Sequence, residues 1–227
     1  MPTGSTPIDI LLDGGLHQGE VTAIFGAAAT GKTTISYQSI INAAKMGIST
    51  ILFDTENKFD SRRVCQINNT IDLSECLLIL QPESFDEQIR YLQILEVLSK
   101  DRPFKLLIID TVTNLYRMEM SLQNTIFDVL NRSFEQHLAR IHGETRRLEL
   151  FTLVIGQVRD KENEKRPVGE DQLYTYAKNV LELKNVRFKG DDESIIEGLQ
   201  VVLRKGIEDR VGRNLPYQIT EKGICPI

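Results

Sequence analysis

The sequence predicts an α/β fold built on a mainly parallel twisted sheet flanked by helices, and three observations carry that prediction. Five apolar runs of strand length recur: Val21–Phe25, Thr50–Phe53, Leu77–Leu80, Leu106–Ile109 and Thr152–Ile155. None alternates with polar residues, the pattern of strands covered on both faces. Helical patterns separate them, and such strand–helix alternation winds a sheet with parallel strands.

Taken in order, the first strand, "VTAIF", runs into the loop "GAAATGKTT" and then into the helix-like run "ISYQSIINAAK". The second strand ends in "FDTENKF". After the third, Ser84 and Glu87 have the spacing of a capping box before "QIRYLQILEVLSK", where Ile89, Leu92 and Leu95 fall on one helical face. The fourth strand closes as "KLLIID". Ile126, Val129, Leu130 and Phe134 mark a further helix, and the fifth strand, "FTLVIGQV", follows it. Past about residue 178 the pattern changes to "NVLELKNVRF", "GLQVVLRK" and "LPYQIT", with turns between them and no long helix. These read as antiparallel edge strands at the C-terminal side of the same sheet. No linker, repeat or low-complexity tract divides the chain, so residues 1–227 read as one domain.

Composition agrees. A chain of 227 residues is long enough for one sizeable α/β core and marginal for two. With 41% hydrophobic and 26% charged residues it reads as globular. No apolar run reaches the roughly 18–20 residues of a membrane span, and "MPTGSTPIDILLDGG" lacks the basic start and apolar core of a signal peptide. Cys65, Cys76 and Cys225 are too few and too far apart for a disulfide framework, and His17, His137 and His142 form no zinc-type cluster with them. These features point to a reducing cytoplasm. The net charge of −5 argues against wholesale wrapping of DNA, although a local basic loop is still allowed.

The chemistry begins at Gly26. Gly26, four residues (Ala27, Ala28, Ala29, Thr30), then Gly31, Lys32 and Thr33 make a full P-loop between a strand and a helix. The glycines let the backbone turn so that its N–H groups face phosphate oxygens, and the helix N-terminus adds a favourable dipole. Lys32 is expected on the β- and γ-phosphates, solvated when no nucleotide is bound, and Thr33 on Mg²⁺. Thr34 falls near the α-phosphate. The three alanines supply backbone N–H groups as well as most residues do. Asp110, closing an apolar strand, is the expected second metal carboxylate. Asp54 or Glu56, at the end of the neighbouring strand, can face the γ-phosphate and polarise water. Gln157, at another strand end, can sense that phosphate.

Together these residues resemble the RecA/RadA recombinase superfamily, and among its members the short archaeal paralogues of RadA, over nearly the whole chain. "TGSTPIDILLDGGLHQGEVTAIFG" resembles the family's opening, "DTENKF" its D-T-E-x-x-F, "VIGQV" its N-Q-V, "RPVGEDQLYTYAKNVLEL" its R-P-x-G-G segment and "LPYQITEKGI" its C-terminal strand. The resemblance implies a RecA-like P-loop NTPase core that binds ATP and Mg²⁺. It also implies Glu56 as general base, Lys32 and Gln157 as catalytic partners, and Arg63 stacked on adenine. Two DNA-binding loops follow from it. The first enters through "LLIIDTVTNLYRME" with Arg117, and the second carries Arg159, Lys161, Lys165 and Arg166. Expected partners are single-stranded DNA and the main RadA-type recombinase, with a homo-oligomer short of a long filament.

The departures narrow that expectation. RadA carries an N-terminal helical DNA-binding domain and a polymerising linker phenylalanine, whereas this chain begins at the ATPase core. Glu170 stands at the second glycine of P-x-G-G. The second loop is short, with Arg159, Lys161, Lys165 and Arg166 against Asp160, Glu162 and Glu164. The first loop region, "RMEMSLQNT", holds one arginine and no glycine. The implied function is an accessory recombinase paralogue in homologous recombination and DNA repair, with slow ATP hydrolysis and modest DNA binding. Two alternatives stand beside it. One is a KaiC-like signalling ATPase, whose branch usually carries paired adjacent glutamates where this chain has Asp54-Thr55-Glu56. The other is a nucleotide-gated adaptor that does not hydrolyse ATP.

Overall fold

The computed structural model describes residues 1–101, 103–122, 127–161, 164–189 and 195–227. Ile126 and Glu162 lie outside the described residues. Nine strands form one continuous sheet: β1 (Val21–Gly26), β2 (Ser49–Asp54), β3 (Leu77–Leu80), β4 (Phe104–Asp110), β5 (Phe151–Lys161), β7 (Asn179–Lys189), β8 (Ile195–Lys205), β9 (Asn214–Thr220) and β10 (Gly223–Pro226). Their order is β10-β9-β8-β7-β1-β5-β4-β2-β3, and β6 (Glu164–Pro167) pairs with β5 alone. All five predicted strands are present. β1 is buried at every position, whereas β3, at the sheet edge, is half-buried throughout.

Successive residues of the parallel strands feed two cores. Ala23, Phe25, Ile51, Phe53, Leu107, Ile109 and Val154 face one side, beneath α4 (Phe85–Gln93), α6 (Asn114–Leu122), α7 (Phe127–Arg147) and α8 (Glu170–Tyr176). Ile24, Leu52, Leu106, Ile108, Leu153 and Ile155 face the other, beneath α1 (Thr6–Leu11), α2 (Lys32–Lys45) and α3 (Ser61–Ile67). Each large apolar side chain fully buried this way contributes roughly 1.5–3 kcal/mol.

The capping box forms as a variant. Ser84 Oγ accepts from the Glu87 N–H at 3.1 Å, and the Glu87 carboxylate accepts from the N–H of Glu83 at 2.7 Å. The helix it starts is shorter than the pattern suggests. It stops at Gln93 and resumes as α5 (Leu95–Asp101). Leu92 and Leu95 are buried and Ile89 packs against their core. In α7, Leu130 and Phe134 are buried but Val129 is 54% exposed.

Three expectations change. β7 is no edge strand. It lies between β1, with which it is parallel, and β8, with which it is antiparallel. Its alternation of Leu181 and Leu183 with Glu182 and Lys184 reflects two unlike faces, and Glu182 pairs with Arg204 across the ladder to β8. The segment read as a first loop opens as α6, which buries Leu115 and Tyr116; Tyr116 stacks on Phe134 at 4.5 Å between ring centroids. The segment read as a second loop is an antiparallel extension of β5 and β6, pairing Val158 with Pro167, Arg159 with Arg166, Asp160 with Lys165 and Lys161 with Glu164.

Candidate functional site

Strand register assembles the site. β1 and β5 are parallel with Gly26 beside Gln157, β5 and β4 with Ile155 beside Asp110, and β4 and β2 with Asp110 beside Asp54. The parallel ladders of four strands thus end level, which brings residues distant in sequence to one carboxyl edge, the usual ligand edge of an open α/β sheet. A cavity of about 450 Å³ opens there, and Lys32, Thr33, Glu56, Asp110, Arg117 and Gln157 are among its lining residues.

The P-loop forms its floor. A Cβ at Gly26 would meet the Leu183 carbonyl oxygen at 2.3 Å, so only glycine lets the loop pass β7. Gly31 has φ 92°, a left-handed conformation open to glycine. Ala29 is also left-handed, with φ 62°. The alanine run is therefore not neutral as the sequence suggests, because one of its members occupies a conformation that strains a Cβ. Ala28 lines the main cavity and Ala27 a neighbouring one. Thr30 is turned inward: its hydroxyl donates to the Ala27 carbonyl at 2.9 Å, and its own carbonyl accepts from Tyr217 Oη at 2.6 Å. Tyr217 on β9 thereby ties the loop to the far strands. Its position in the chain carries no hint of this.

Lys32 differs from expectation as well. Its ammonium is not left to solvent but donates to the carbonyls of Gly26 at 2.9 Å and Ala27 at 2.6 Å. Burial lowers its pKa, while the charges of Asp110 and Glu56 act to raise it.

Asp110 is buried, and burial pushes its carboxyl up to about 6, against hydrogen bonds from the Ser36 and Thr33 hydroxyls that pull it down; the charges of Glu56 and Asp54 add to the rise. Ser36 Oγ donates to it at 3.1 Å. Ser36 lies three residues after Thr33 on α2, so helical spacing alone could have flagged it. A carboxylate this short of compensating charge suits a cation. Among the described residues no group of three or more His, Cys, Asp or Glu could hold a metal unaided. The donors present, one hydroxyl and one carboxylate, fit Mg²⁺, which keeps waters and shares phosphate oxygens.

The two carboxylates at the end of β2 separate. Asp54 accepts from the N–H groups of Lys58 (3.1 Å) and Phe59 (2.9 Å) and from the Gln81 amide (3.2 Å), so it holds the turn. Thr55 locks the two strand ends: its Oγ1 donates to the Thr111 carbonyl and accepts from the Thr111 N–H, both at 2.9 Å. Glu56 then projects into the cavity. Its Oε1 accepts from Gln157 Nε2 at 2.6 Å and its Oε2 from Lys58 Nζ at 2.5 Å. Gln157 Oε1 in turn accepts from the guanidinium of Arg117. Arg117 therefore stands inside the cavity wall. Lys58 is a site residue that the sequence reading passed over.

Arg63 does not line the main cavity. It flanks a second cleft with Thr33, Thr34, Tyr37 and Arg62, and it donates to the carbonyls of Thr220 (2.6 Å) and Glu221 (3.3 Å) in the β9–β10 turn. Tyr37 borders both clefts. Of the other basic residues expected on DNA, Arg159 and Lys161 belong to β5, and Lys165 and Arg166 to β6. Arg166 pairs with Glu170 at 3.0 Å. Glu170 opens α8, where a negative charge is favourable, and the preceding Gly169 takes φ 66° against the Phe134 ring.

Comparison with known proteins places these features. The family model described as the RecA N-terminal domain matches residues 1–205. The DNA repair and recombination protein RadB of Methanosphaera stadtmanae is 28% identical over 99% of this chain and 94% of its own length. The RadB of Thermococcus onnurineus is 30% identical over 94% of this chain and 99% of its own. The crystal structure of the RadB recombinase superposes with a TM-score of 0.75 at 26% identity, covering 99% of this chain and 98% of that one.

Proposed function

The chain belongs to the RecA N-terminal domain family, and on that premise we propose that this RecA-family recombinase paralogue binds ATP with Mg²⁺ and hydrolyses it slowly in support of DNA repair and recombination. The observation that carries the reading is the register of β1, β5, β4 and β2, which gathers the P-loop, Gln157, Asp110 and Glu56 around one cavity. Members of this family use nucleotide, Mg²⁺, DNA and recombinase partners in general. The finer assignments are ours: single-stranded DNA as the nucleic acid, a RadA-type recombinase as the protein partner, and residues 1–227 as one ATPase core. Among the described residues no helix is long and apolar enough to cross a membrane.

In this reading the P-loop N–H groups and Lys32 bind the phosphates, with Lys32 leaving the carbonyls of Gly26 and Ala27 to do so. Thr33 and Asp110 would hold Mg²⁺, which would supply positive charge to the phosphates. Thr34 and Arg63 border the nucleoside side. Glu56 takes a proton from water as the water oxygen bonds to the γ-phosphorus and the bond from that phosphorus to the bridging oxygen breaks. ADP and phosphate leave, and the proton passes to solvent. Gln157 positions Glu56.

One observation favours the nucleotide-gated adaptor as a second reading: both oxygens of Glu56 already accept hydrogen bonds, from Gln157 and Lys58, so neither faces an attacking water alone. Binding of a fluorescent ATP analogue combined with steady-state hydrolysis, each with and without single-stranded DNA, separates the two. Binding with turnover supports the ATPase, binding without any turnover supports the adaptor, and no binding removes both.

A further inference from the structure

Two charges leave the turn after β2 toward the cavity, Glu56 and Lys58, and the backbone beneath Lys58 is fixed. The Lys58 N–H donates to Asp54 Oδ1 at 3.1 Å, and its carbonyl accepts from Tyr37 Oη at 3.3 Å. The next N–H, of Phe59, donates to Asp54 Oδ2 at 2.9 Å, and the Phe59 ring packs edge-on against Tyr37 with 5.5 Å between centroids. Asn57 turns the chain between the two charges with a left-handed φ of 52°, a conformation asparagine tolerates. Lys58 Nζ then meets Glu56 Oε2 at 2.5 Å. The lysine side chain is otherwise uncommitted. It is 73% exposed, and exposed ion pairs hold weakly. Of the cations that line the cavity among the described residues, Lys32 is tied to two P-loop carbonyls and Arg117 to the Gln157 amide, whereas Lys58 is held by a carboxylate. That carboxylate is the one placed to accept a proton from water, so Lys58 stands where a terminal phosphate and its water meet. The hydrogen bond to Glu56 holds the Lys58 pKa above its usual value, so the ammonium is charged at neutral pH. A phosphate oxygen is an anionic acceptor as well, and an ammonium on a flexible stem can follow it.

We propose that Lys58 is a specificity-determining residue that distinguishes a nucleoside triphosphate from a diphosphate: with a triphosphate in the cavity its ammonium turns from Glu56 to an oxygen of the terminal phosphate, and with a diphosphate it stays on Glu56. The same motion uncovers Oε2 of Glu56 only when a terminal phosphate is there to be attacked, while Gln157 remains on Oε1. The discrimination rests on the nucleotide-binding reading above, and it needs no turnover, so it holds for an ATPase and for a nucleotide-gated adaptor alike.

The test titrates the full chain, as wild type, Lys58→Met and Lys58→Arg, with fluorescent ADP and with a fluorescent, slowly hydrolysed ATP analogue, both with Mg²⁺ in excess. Methionine keeps much of the stem and removes the charge. Lys58→Met is expected to weaken the analogue roughly tenfold, the loss of one charge-assisted hydrogen bond, and to leave ADP affinity unchanged. Lys58→Arg is expected to keep the wild-type ratio of the two affinities. The unchanged ADP affinity also reports that the variant is folded, since no backbone contact depends on the exposed side chain. An equal loss for both nucleotides overturns the proposal, because Lys58 would then act as a diffuse charge. Unchanged affinity for both overturns it as well, because Lys58 would then serve Glu56 alone. A wild type that binds neither nucleotide overturns the nucleotide-binding reading and the proposal with it. That result is distinct from a wild type that binds both while Lys58→Met keeps its ratio, which overturns the proposal and leaves the reading of the site intact.

Discussion

Gln157 and Glu56, 101 positions apart in the chain, are joined by a 2.6 Å hydrogen bond from amide to carboxylate. The bond depends on the registers of β5 with β4 and of β4 with β2, and it links the residue best placed to accept a proton from water with a residue two strands away. The carboxylate proposed as general base and the amide that meets it therefore lie outside the phosphate-gripping loop.

Lys32→Ala is expected to abolish nucleotide binding and also to lower the stability of the nucleotide-free protein by about 1 kcal/mol, because two hydrogen bonds to the Gly26 and Ala27 carbonyls disappear with the ammonium. A fluorescent-nucleotide titration beside a denaturant melt of the nucleotide-free variant measures both. An unchanged melt would mean that those bonds contribute nothing net.

Ala29→Gly is expected to raise stability. A left-handed alanine costs roughly 1–2 kcal/mol, and the added unfolded-state freedom of glycine takes back about 0.4–1, leaving a gain of ~0.5–1 kcal/mol. Urea midpoints of the two proteins at neutral pH decide it, and a lower midpoint for the glycine variant would show that Ala29 is not strained.

The parts legible in the sequence were those whose cause is local. Strands covered on both faces have to be apolar throughout, so β1, β2, β4 and β5 stood out. A P-loop is contiguous, and so is an aspartate closing an apolar strand. Turns without a long helix misled at β7, because they mark its antiparallel pairing with β8 and carry no sign of its parallel pairing with β1. The resemblance led to a loop at Arg117, yet Leu115 and Tyr116 are buried in a helix against Phe85 and Phe134. The contacts Arg117–Gln157, Tyr217–Thr30 and Thr55–Thr111 depend on register and helix orientation, which no short window of sequence encodes. The strand β10 holds one large aliphatic residue, Ile224, among Gly223, Cys225 and Pro226, so no apolar run marks it.

Acid should loosen the helical layer around His137. It is buried, Nε2 shares a 2.8 Å hydrogen bond with Gln88, and burial lowers its pKa to about 3, with the charge of Arg140 acting the same way. The unfolded chain binds this proton near pH 6.5 and the folded one only near pH 3. Stability is therefore full above about pH 6.5 and falls through that window as pH drops, by about 2 kcal/mol at pH 5. Asp110, raised by burial, contributes in the opposite direction between its unfolded value and about 6. Comparison with His137→Gln cancels that term, since both proteins carry Asp110. The difference in unfolding free energy between pH 7 and pH 5 should be smaller in the variant by about 2 kcal/mol. Equal pH dependence would show that His137 does not stay neutral in the fold.

The most direct test of the whole account is steady-state ATP hydrolysis by the wild type and Glu56→Gln, with nucleotide affinity measured on the same preparations. With Glu56 as general base, the variant should bind ATP as the wild type does and lose roughly 10²–10⁴-fold in turnover. Equal rates in the two proteins would contradict the assignment of Glu56 and leave the cavity a nucleotide switch without hydrolytic chemistry.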